Sequence, residues 1–217
     1  MAPFFFWKPR RVRRYRRRTI ITERKAKLHL EDGQTFEVQG ELINVKVIDN
    51  ASRSGSRIRN GVLTIKLAST LSENEKKRFI PYLGRRALTR EFLPIIDKRV
   101  RELNTLHFNS EINKVRLKDT STLWGSCSIR NNINLDFRLL FAPQNIIDAI
   151  IIHELAHTVR RDHSKAFWSL VTNIIPDYKQ RRKWLKENAN ALKPAQVQQE
   201  QQEQPITAEA QQAEVPI

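Results

Sequence analysis

The sequence has little of what disulfide-stabilised, membrane-spanning or collagen-like proteins need. It contains a single cysteine, Cys127, which excludes an internal disulfide and fits a reducing compartment. No apolar run reaches the roughly 18 residues that a transmembrane helix requires. Glycine and proline number only 6 and 9 in 217 residues, which argues against a loop-rich chain. We therefore expect a cytoplasmic globular protein of one ordinary domain, or two small ones, with tails.

Acidic residues are scarce near the N-terminus, where positive charge is concentrated. The first 30 residues contain eleven Lys or Arg against Glu23 alone, and the whole chain has a formal net charge of +16. Aromatic residues 4–7 precede the arginine run, the reverse of the order in a secretory signal. The segment KPRRVRRYRRR has no apolar period, so we predict a disordered basic arm over residues 1–24. Such an arm favours non-specific binding to nucleic acid; the alternatives are attraction to acidic lipid and simple solubilisation.

The spacing of apolar residues and the composition divide the rest of the chain into three regions. Short alternating runs predict a β-rich region over residues 25–70. Residues 71–193 combine long stretches of helical spacing with a few β-like runs. Residues 194–217 are rich in Gln, Ala and Glu and contain no Lys, Arg or aromatic residue, which predicts a disordered tail. This order of elements predicts an α+β fold, and the sequence does not indicate an oligomeric state.

Capping residues and periodicity predict where the elements begin and end. A capping box of Ser72 and Glu75 starts a helix that reaches about Arg101, with a break or kink at Pro81 and Pro94. Strands are predicted at residues 27–30 and 35–38, joined by an Asp32-Gly33 hairpin, and at 42–48, 61–67, 114–117 and 133–140. Three further helices are predicted at residues 145–160, from 164 to about 175, and from 177 to about 191.

The sequence His153-Glu154-Leu155-Ala156-His157 lies in the helix predicted for residues 145–160. Residues four apart lie one helical turn from each other, so both imidazoles project from one face and can reach a single ion. Glu154 follows the first histidine directly and can reach a water molecule at that ion, as a general base must. The alternative is that both histidines are ordinary side chains of an amphipathic helix. The remainder of the helix is apolar, however, and burying these polar groups would be costly unless they surround an ion.

A catalytic metal site needs a third protein ligand and leaves its fourth position open. His163 lies six residues after His157, so the helix must end before it for the chain to fold back onto the ion. Asp162 is the rival candidate, either as a ligand or as an acceptor for a ligand's ring N–H. This pattern predicts one Zn²⁺ per chain held by His153, His157 and His163.

Residues from about 120 to 185 resemble the YgjP-like branch of the SprT-type zinc metallopeptidases. The matching pieces, in order, are Trp124-Gly125-Ser126-Cys127-Ser128, Ile133-Asn134-Leu135, Leu139 to Pro143, Ile147-Asp148, the HELAH sequence, His163-Ser164-Lys165, Phe167-Trp168, Pro176-Asp177-Tyr178 and Trp184-Leu185. Two departures are Leu123, where the family usually has Arg, and Asp136, where it has Asn. The resemblance implies zinc, an intracellular location and a minigluzincin-like core, in which a small twisted β-sheet packs against the HExxH helix and C-terminal helices. It makes residues 71–193 a zinc metallopeptidase domain with the same three histidine ligands.

Two classes of function follow. The first is hydrolysis of peptide bonds in a protein or peptide substrate, with Glu154 as the base. The second is a nucleic-acid-associated zinc protein whose proteolysis is weak or restricted, as in relatives that cut proteins crosslinked to DNA.

Two smaller features each allow two interpretations. Residues 134–137 are either a sheet edge that pairs with an extended peptide or an ordinary strand. Cys127 is either a small buried packing group, or a metal ligand or reactive thiol.

Overall fold

The computed structural model describes residues 28–120 and 123–194. Within these ranges the chain forms seven strands, four α-helices and one short 3₁₀ helix, which confirms the predicted α+β class. These residues divide into two compact units, which are essentially His29–Ala87 and Leu88–Lys193. None of the described helices combines the length and the apolar composition that a membrane span needs. The basic arm of residues 1–24 and the tail after Pro194 lie outside the described residues.

The first unit is built on a four-stranded sheet. Its strands are β1 Thr35–Val38, β2 Glu41–Ala51, β3 Gly55–Arg59 and β4 Val62–Ala68, in the order β1-β2-β4-β3. Strands β2 and β4 are parallel, and the other two pairs are antiparallel. Alternate residues of these strands are apolar and buried because one face of the sheet forms the core of the unit. The fully buried side chains on this face include Phe36, Ile43, Val45, Leu63, Ile65 and Leu67.

Two sequence predictions in this unit were wrong. Strand β1 pairs with β2 through a turn at Gln39 and Gly40, rather than with residues 27–30 through Asp32-Gly33. Gln39 and Gly40 have φ angles of 52° and 81°, as the tight turns that match the twist of a hairpin require. The predicted Asp-Gly turn does form, but Gly33 instead donates its N–H to the carbonyl of Val45. Strand β3 lies between the predicted strands 42–48 and 61–67, where the sequence predicted no further strand.

Helix α1 runs without interruption from Glu73 to His107. The predicted capping box is present in part, because the Glu75 carboxylate accepts both the backbone N–H and the hydroxyl of Ser72 at 2.8 and 2.7 Å. Of the predicted break or kink at the two prolines, the break is wrong, since the helix continues through both. Its second half buries one residue per turn, namely Leu88, Phe92, Ile96 and Val100. Such a buried stripe offsets the loss of a few backbone hydrogen bonds.

The second unit packs a small sheet against the HExxH helix. Its sheet consists of β5 Lys114–Lys118, β6 Gly125–Cys127 and β7 Asn132–Asp136, in the order β5-β7-β6. Its helices are α2 Gln144–Val159, α3 Lys165–Ile174 and α4 Tyr178–Glu187. Helix α2 contacts β6, β7, α3 and α4, so it lies at the centre of the unit. The predicted packing of a small sheet on this helix is therefore confirmed.

The strand predicted for residues 133–140 ends early. Strand β7 stops at Asp136, and residues Phe137–Phe141 form the 3₁₀ helix. Asp136 starts this helix because its carboxylate accepts the backbone N–H of Arg138 at 3.0 Å. Helix α4 likewise ends at Glu187 rather than near residue 191. The sequence did not predict β6, which is formed by three residues of the WGSC segment.

Candidate metal centre

Helix α2 places His153 and His157 one turn apart, with ring centroids 5.1 Å from each other. Its apolar residues explain its central position, because Ile147, Ile151 and Leu155 are completely buried. A helix buried on most of its surface holds its side chains in few rotamers. The two histidines therefore project from a rigid support.

The chain after α2 folds back and brings His163 to the other two histidines. The helix ends at Val159, and the extended backbone of Arg160 turns the chain away from the helix axis. The ring of His163 lies 5.3 Å from that of His153 and 4.7 Å from that of His157. One ring nitrogen from each of the three lies within 4.8 Å of the others, so this trio is the group of side chains among the described residues that could hold a metal ion. Asp162 is not part of it, and its exposed carboxylate accepts the hydroxyl of Ser164 at 2.9 Å.

The geometry of the trio fits a tetrahedral ion. The Nε2 atoms of His153 and His163 are 3.3 Å apart. Two nitrogens that each bind one zinc ion at roughly 2.0–2.1 Å with a tetrahedral angle are separated by about 3.3 Å. The same separation allows an N–H···N hydrogen bond between the two rings when one Nε2 carries a proton, and it allows both nitrogens to bind one ion when neither does.

Hydrogen bonds on the far side of the rings set the tautomers. The Nδ1 of His157 lies 3.0 Å from the backbone carbonyl of Arg160, which can only accept. This nitrogen therefore carries the proton, and in the neutral ring Nε2 has the free lone pair. The Nδ1 of His153 lies 2.9 Å from the hydroxyl of Tyr178 and is turned away from the other histidines in the same way. Outer partners of this kind orient metal-binding histidines.

The surroundings keep the three imidazoles neutral. Burial, with contributions from the neighbouring histidines, lowers the pKa of His153 to about 3. The pKa values of His157 and His163 are also lowered, in both cases mainly by burial. The ring of Phe167 lies within 5.0 Å of all three histidine rings, and its side chain is completely buried. Neutral imidazole is the form that binds a metal, so the donor set is ready for a cation at neutral pH.

Glu154 lies against strand β6, at Gly125 and Cys127. Only 5% of the residue is exposed, and burial raises the pKa of its carboxyl group to about 8, although a hydrogen bond from the backbone N–H of Cys127 opposes the shift. A Cβ atom on Gly125 would lie 2.6 Å from Oε1 of Glu154 and 2.7 Å from its Cγ. Glycine is therefore required at this position, because any larger residue would displace the glutamate.

Arg161 connects the loop that carries His163 to the turn after β6. Its guanidinium donates to the carbonyl of Ser128 at 2.7 Å and to the side-chain oxygen of Asn131 at 2.5 Å. It also contacts the sulfur of Cys127 at 3.3 Å. Cys127 is half-buried and does not belong to the histidine trio, and burial raises the pKa of its thiol. These features fit the packing role considered for this cysteine.

Two residues of the site were missed by reasoning from the sequence. Tyr178 was part of the family resemblance, but nothing in its spacing connected it with His153, 25 residues earlier. Gly125 was part of the WGSC segment, yet its close packing on Glu154 depends on how β6 lies against α2. Trp168, which was also part of the family resemblance, lies 5.7 Å from the ring of His153 and 5.6 Å from that of His163.

Comparisons with known proteins identify the family of this chain. The chain is similar to the crystal structure of the metallopeptidase zymogen of Pyrococcus abyssi abylysin, with 22% identity, a TM-score of 0.39, and coverage of 42% of this chain and 93% of that one. The metallopeptidase zymogen of Methanocaldococcus jannaschii jannalysin gives 20% identity, a TM-score of 0.39, and coverage of 43% and 95%. No curated protein matches the chain. The sequence profile of the YgjP-like metallopeptidase domain matches residues 7–188, so the chain belongs to the YgjP-like metallopeptidase family.

Proposed function

We propose that this metallopeptidase binds one Zn²⁺ through His153, His157 and His163 and hydrolyses peptide bonds with Glu154 as its general base. The observation that carries the proposal is the trio of neutral imidazoles beside a buried carboxylate. Three nitrogen ligands with an open fourth position are typical of catalytic zinc. When bound, zinc would polarise the scissile carbonyl and make a water molecule acidic enough to react at neutral pH.

Glu154 moves the proton in this reaction. It accepts one proton from the attacking water while the water oxygen forms a bond to the carbonyl carbon, whose π electrons move to the carbonyl oxygen. Glu154 then gives the proton to the leaving nitrogen as the C–N bond breaks, so the products are an acid and an amine. Without a metal ion the pKa of Glu154 is about 8, and the positive charge of a bound zinc ion would lower it. The carboxylate is therefore available as a base once the site is loaded.

Strand β6 is the sheet edge beside the site. Strand β7, which includes residues 134–136, lies between β5 and β6 and pairs on both sides. The hypothesis that residues 134–137 form the edge for substrate is therefore wrong. We assign that role to β6, which pairs only with β7 within this sheet and contacts α2. An extended peptide could add there as a further strand and bring its backbone to Glu154.

The test is a digest of a peptide library by the zinc-loaded protein and by its Glu154→Gln variant. The amide cannot take a proton from water at neutral pH, so hydrolysis should fall by roughly 10²–10⁴-fold, the usual contribution of a general base. Zinc content should not change, because Glu154 is not among the proposed ligands. Equal hydrolysis by both proteins would show that Glu154 is not the base.

A further inference from the structure

Arg182 is an exposed cation on helix α4 that differs from its neighbours in having no partner in the described part of the chain. Arg181 donates to the carboxylate of Asp177 and to the carbonyl of Asn145, both at 2.9 Å. The ammonium group of Lys183 lies 3.8 Å from the carboxylate of Glu187. The residues before and after Arg182 therefore both bind partners within the protein. The guanidinium of Arg182, in contrast, is available for an external anion.

The position of Arg182 on α4 directs it toward the histidine cluster. It lies one turn after Tyr178 on the same helix face, and helical side chains lean back toward the N-terminus. This places Arg182 next to Tyr178 along the helix, and the ring of Tyr178 stacks on that of His153 at 5.7 Å and 8°. Trp168 lies beside both Tyr178 and His163, with centroids 5.8 and 5.6 Å away, and continues this wall of the site.

The electrostatics agree with this position. Burial is the largest influence on the pKa values of His153, His163 and Tyr178, and the positive charge of Arg182 is a further influence that lowers each of them. The influences on Glu154 are burial and the N–H of Cys127, without Arg182. The charge of Arg182 therefore acts on His153, His163 and Tyr178, the three residues that form this part of the site.

A bare cation beside a site for a divalent cation is unfavourable by itself. The repulsion between the two charges weakens metal binding, and it is relieved when an anion lies between them. Peptide hydrolysis creates such an anion for a short time, because the carbonyl oxygen gains negative charge as water attacks. A group that repels in the ground state and attracts in the transition state contributes directly to the rate.

We propose that Arg182 is a catalytic residue that stabilises the negative charge developing on the carbonyl oxygen of the scissile peptide bond. This inference rests on the proposed function. As the water oxygen bonds to the carbonyl carbon, the π electron pair moves to the carbonyl oxygen, and an N–H of Arg182 donates to it. When the C–N bond breaks, that pair returns to form the new carbonyl group. Arg182 keeps its proton throughout, because guanidinium does not titrate in proteins, and Glu154 carries the proton to the leaving amine.

The kinetic test uses a peptide with both ends blocked and no acidic side chain. Arg182→Ala should lower kcat by roughly 10²-fold, the lower end of the effect of losing one oxyanion donor, and change KM only a few-fold. Arg182→Lys should recover part of the loss, because it keeps the charge without the planar fork. Lys183→Ala is the matched control on the next position of the same exposed helix and should match the wild type.

A second measurement reports on the same contact without catalysis. Affinity of the zinc-loaded protein for a phosphinic peptide, which carries a tetrahedral anion, should fall in Arg182→Ala by about the same factor as kcat. Zinc affinity should be unchanged or higher in this variant, because a repelling cation has been removed. Equal phosphinic-peptide affinity in wild type and Arg182→Ala would overturn the proposal, even if no hydrolysis of a test peptide is seen.

Other outcomes overturn the proposal in identifiable ways. A loss confined to KM, and only for peptides with a carboxylate, would make Arg182 a recognition group for acidic substrates. Loss of zinc from Arg182→Ala would make its role structural. The proposed function fails separately, by unchanged hydrolysis in Glu154→Gln. If Glu154→Gln is inactive and Arg182→Ala is fully active, only the role of Arg182 is wrong.

Discussion

The unit His29–Ala87 and the unit Leu88–Lys193 bury different kinds of side chain. In the first, the buried side chains are apolar apart from Gln34, whose amide oxygen accepts the N–H of Glu31 within the same turn. In the second, the described buried polar side chains are Asn104, Asn134, Asp136 and Glu154. A buried polar group costs free energy unless it is satisfied, so its presence needs a specific explanation. Four of the five described buried polar side chains, including both buried carboxylates, therefore belong to the second unit.

The two buried carboxylates of the second unit, Asp136 and Glu154, differ in how many hydrogen bonds they accept. Asp136 accepts from both the backbone and the hydroxyl of Thr120 and from the backbone and guanidinium of Arg138, at 2.6–3.0 Å. Among the described residues Glu154 accepts only the N–H of Cys127. The first carboxylate is fully occupied in holding loops together. The second has free acceptor capacity beside the histidine cluster, as a group that moves protons must have.

The largest expected effect is loss of the metal from the second unit. A double variant of His153→Ala and His157→Ala removes two of three nitrogen ligands, so zinc content should fall from about one per chain to near zero. His29→Ala is the control, because this exposed histidine belongs to the first unit. Metal analysis of the purified proteins checks the prediction, and an unchanged zinc content in the double variant would show that the ion is held elsewhere.

A core substitution in the first unit should affect stability and not chemistry. Leu63 is completely buried in its sheet, and Leu63→Ala should lower the free energy of unfolding by about 2–5 kcal/mol. Zinc content and kcat, measured well below the melting temperature, should stay close to the wild type. Denaturant titration and peptide hydrolysis on the same preparations make the comparison. A large fall in kcat of the folded variant would mean that the two units do not divide their roles in this way.

Two glycines provide a direct contrast between the units. Gly125→Ala should displace Glu154, because the new Cβ would lie 2.6 Å from its carboxylate, and we expect roughly a 10²-fold loss of hydrolysis with zinc retained. Gly55→Ala, in strand β3 of the first unit, meets no atom within 4 Å and should leave the rate unchanged. The prediction is checked by measuring the hydrolysis rate and the zinc content of both variants. Similar rates would show that Glu154 tolerates the added methyl group.

The buried Glu154 should also give the metal-free protein a characteristic pH dependence. Its folded pKa of about 8 exceeds its ordinary value of 4.5, so its contribution to stability is complete below pH 4.5 and is lost as pH rises toward 8. By pH 7 this loss amounts to roughly 3 kcal/mol. Glu154→Gln removes the titration, so its stability advantage over the wild type should grow between pH 5 and 7.5. Denaturant titrations of both metal-free proteins test this, and parallel pH profiles would contradict the raised pKa.

The smallest expected effect concerns the basic arm and leaves both units intact. Deleting residues 1–18 removes most of the N-terminal positive charge, so affinity for nucleic acid should fall and its dependence on salt should flatten. Zinc content and hydrolysis of a free peptide should not change. Binding titrations at several salt concentrations would reveal the difference. Identical affinity and salt slope would favour lipid attraction or solubilisation as the reason for the charge.

The sequence predicted well the elements that neighbouring residues determine, such as helices, and predicted poorly which β-strands pair with each other. The HExxH helix was placed within one residue at each end, because its apolar spacing and the preceding proline are local signals. The Asp32-Gly33 hairpin was wrong, because an Asp-Gly turn permits a hairpin without determining which strands pair. Strand β6 was missed because three residues are too few to show alternation.

By itself, the sequence determined that two histidines lie one turn apart with a glutamate between them, and it predicted the third histidine beyond the helix end. Helical periodicity is a property of neighbouring residues, so this part follows without knowledge of the fold. Only the tertiary structure decided that Nε2 of His163 lies 3.3 Å from that of His153, that Tyr178 holds the far side of His153, and that Gly125 leaves room for Glu154. These contacts join residues 10 to 29 positions apart. Their distances depend on how helices and strands pack, which no local pattern specifies.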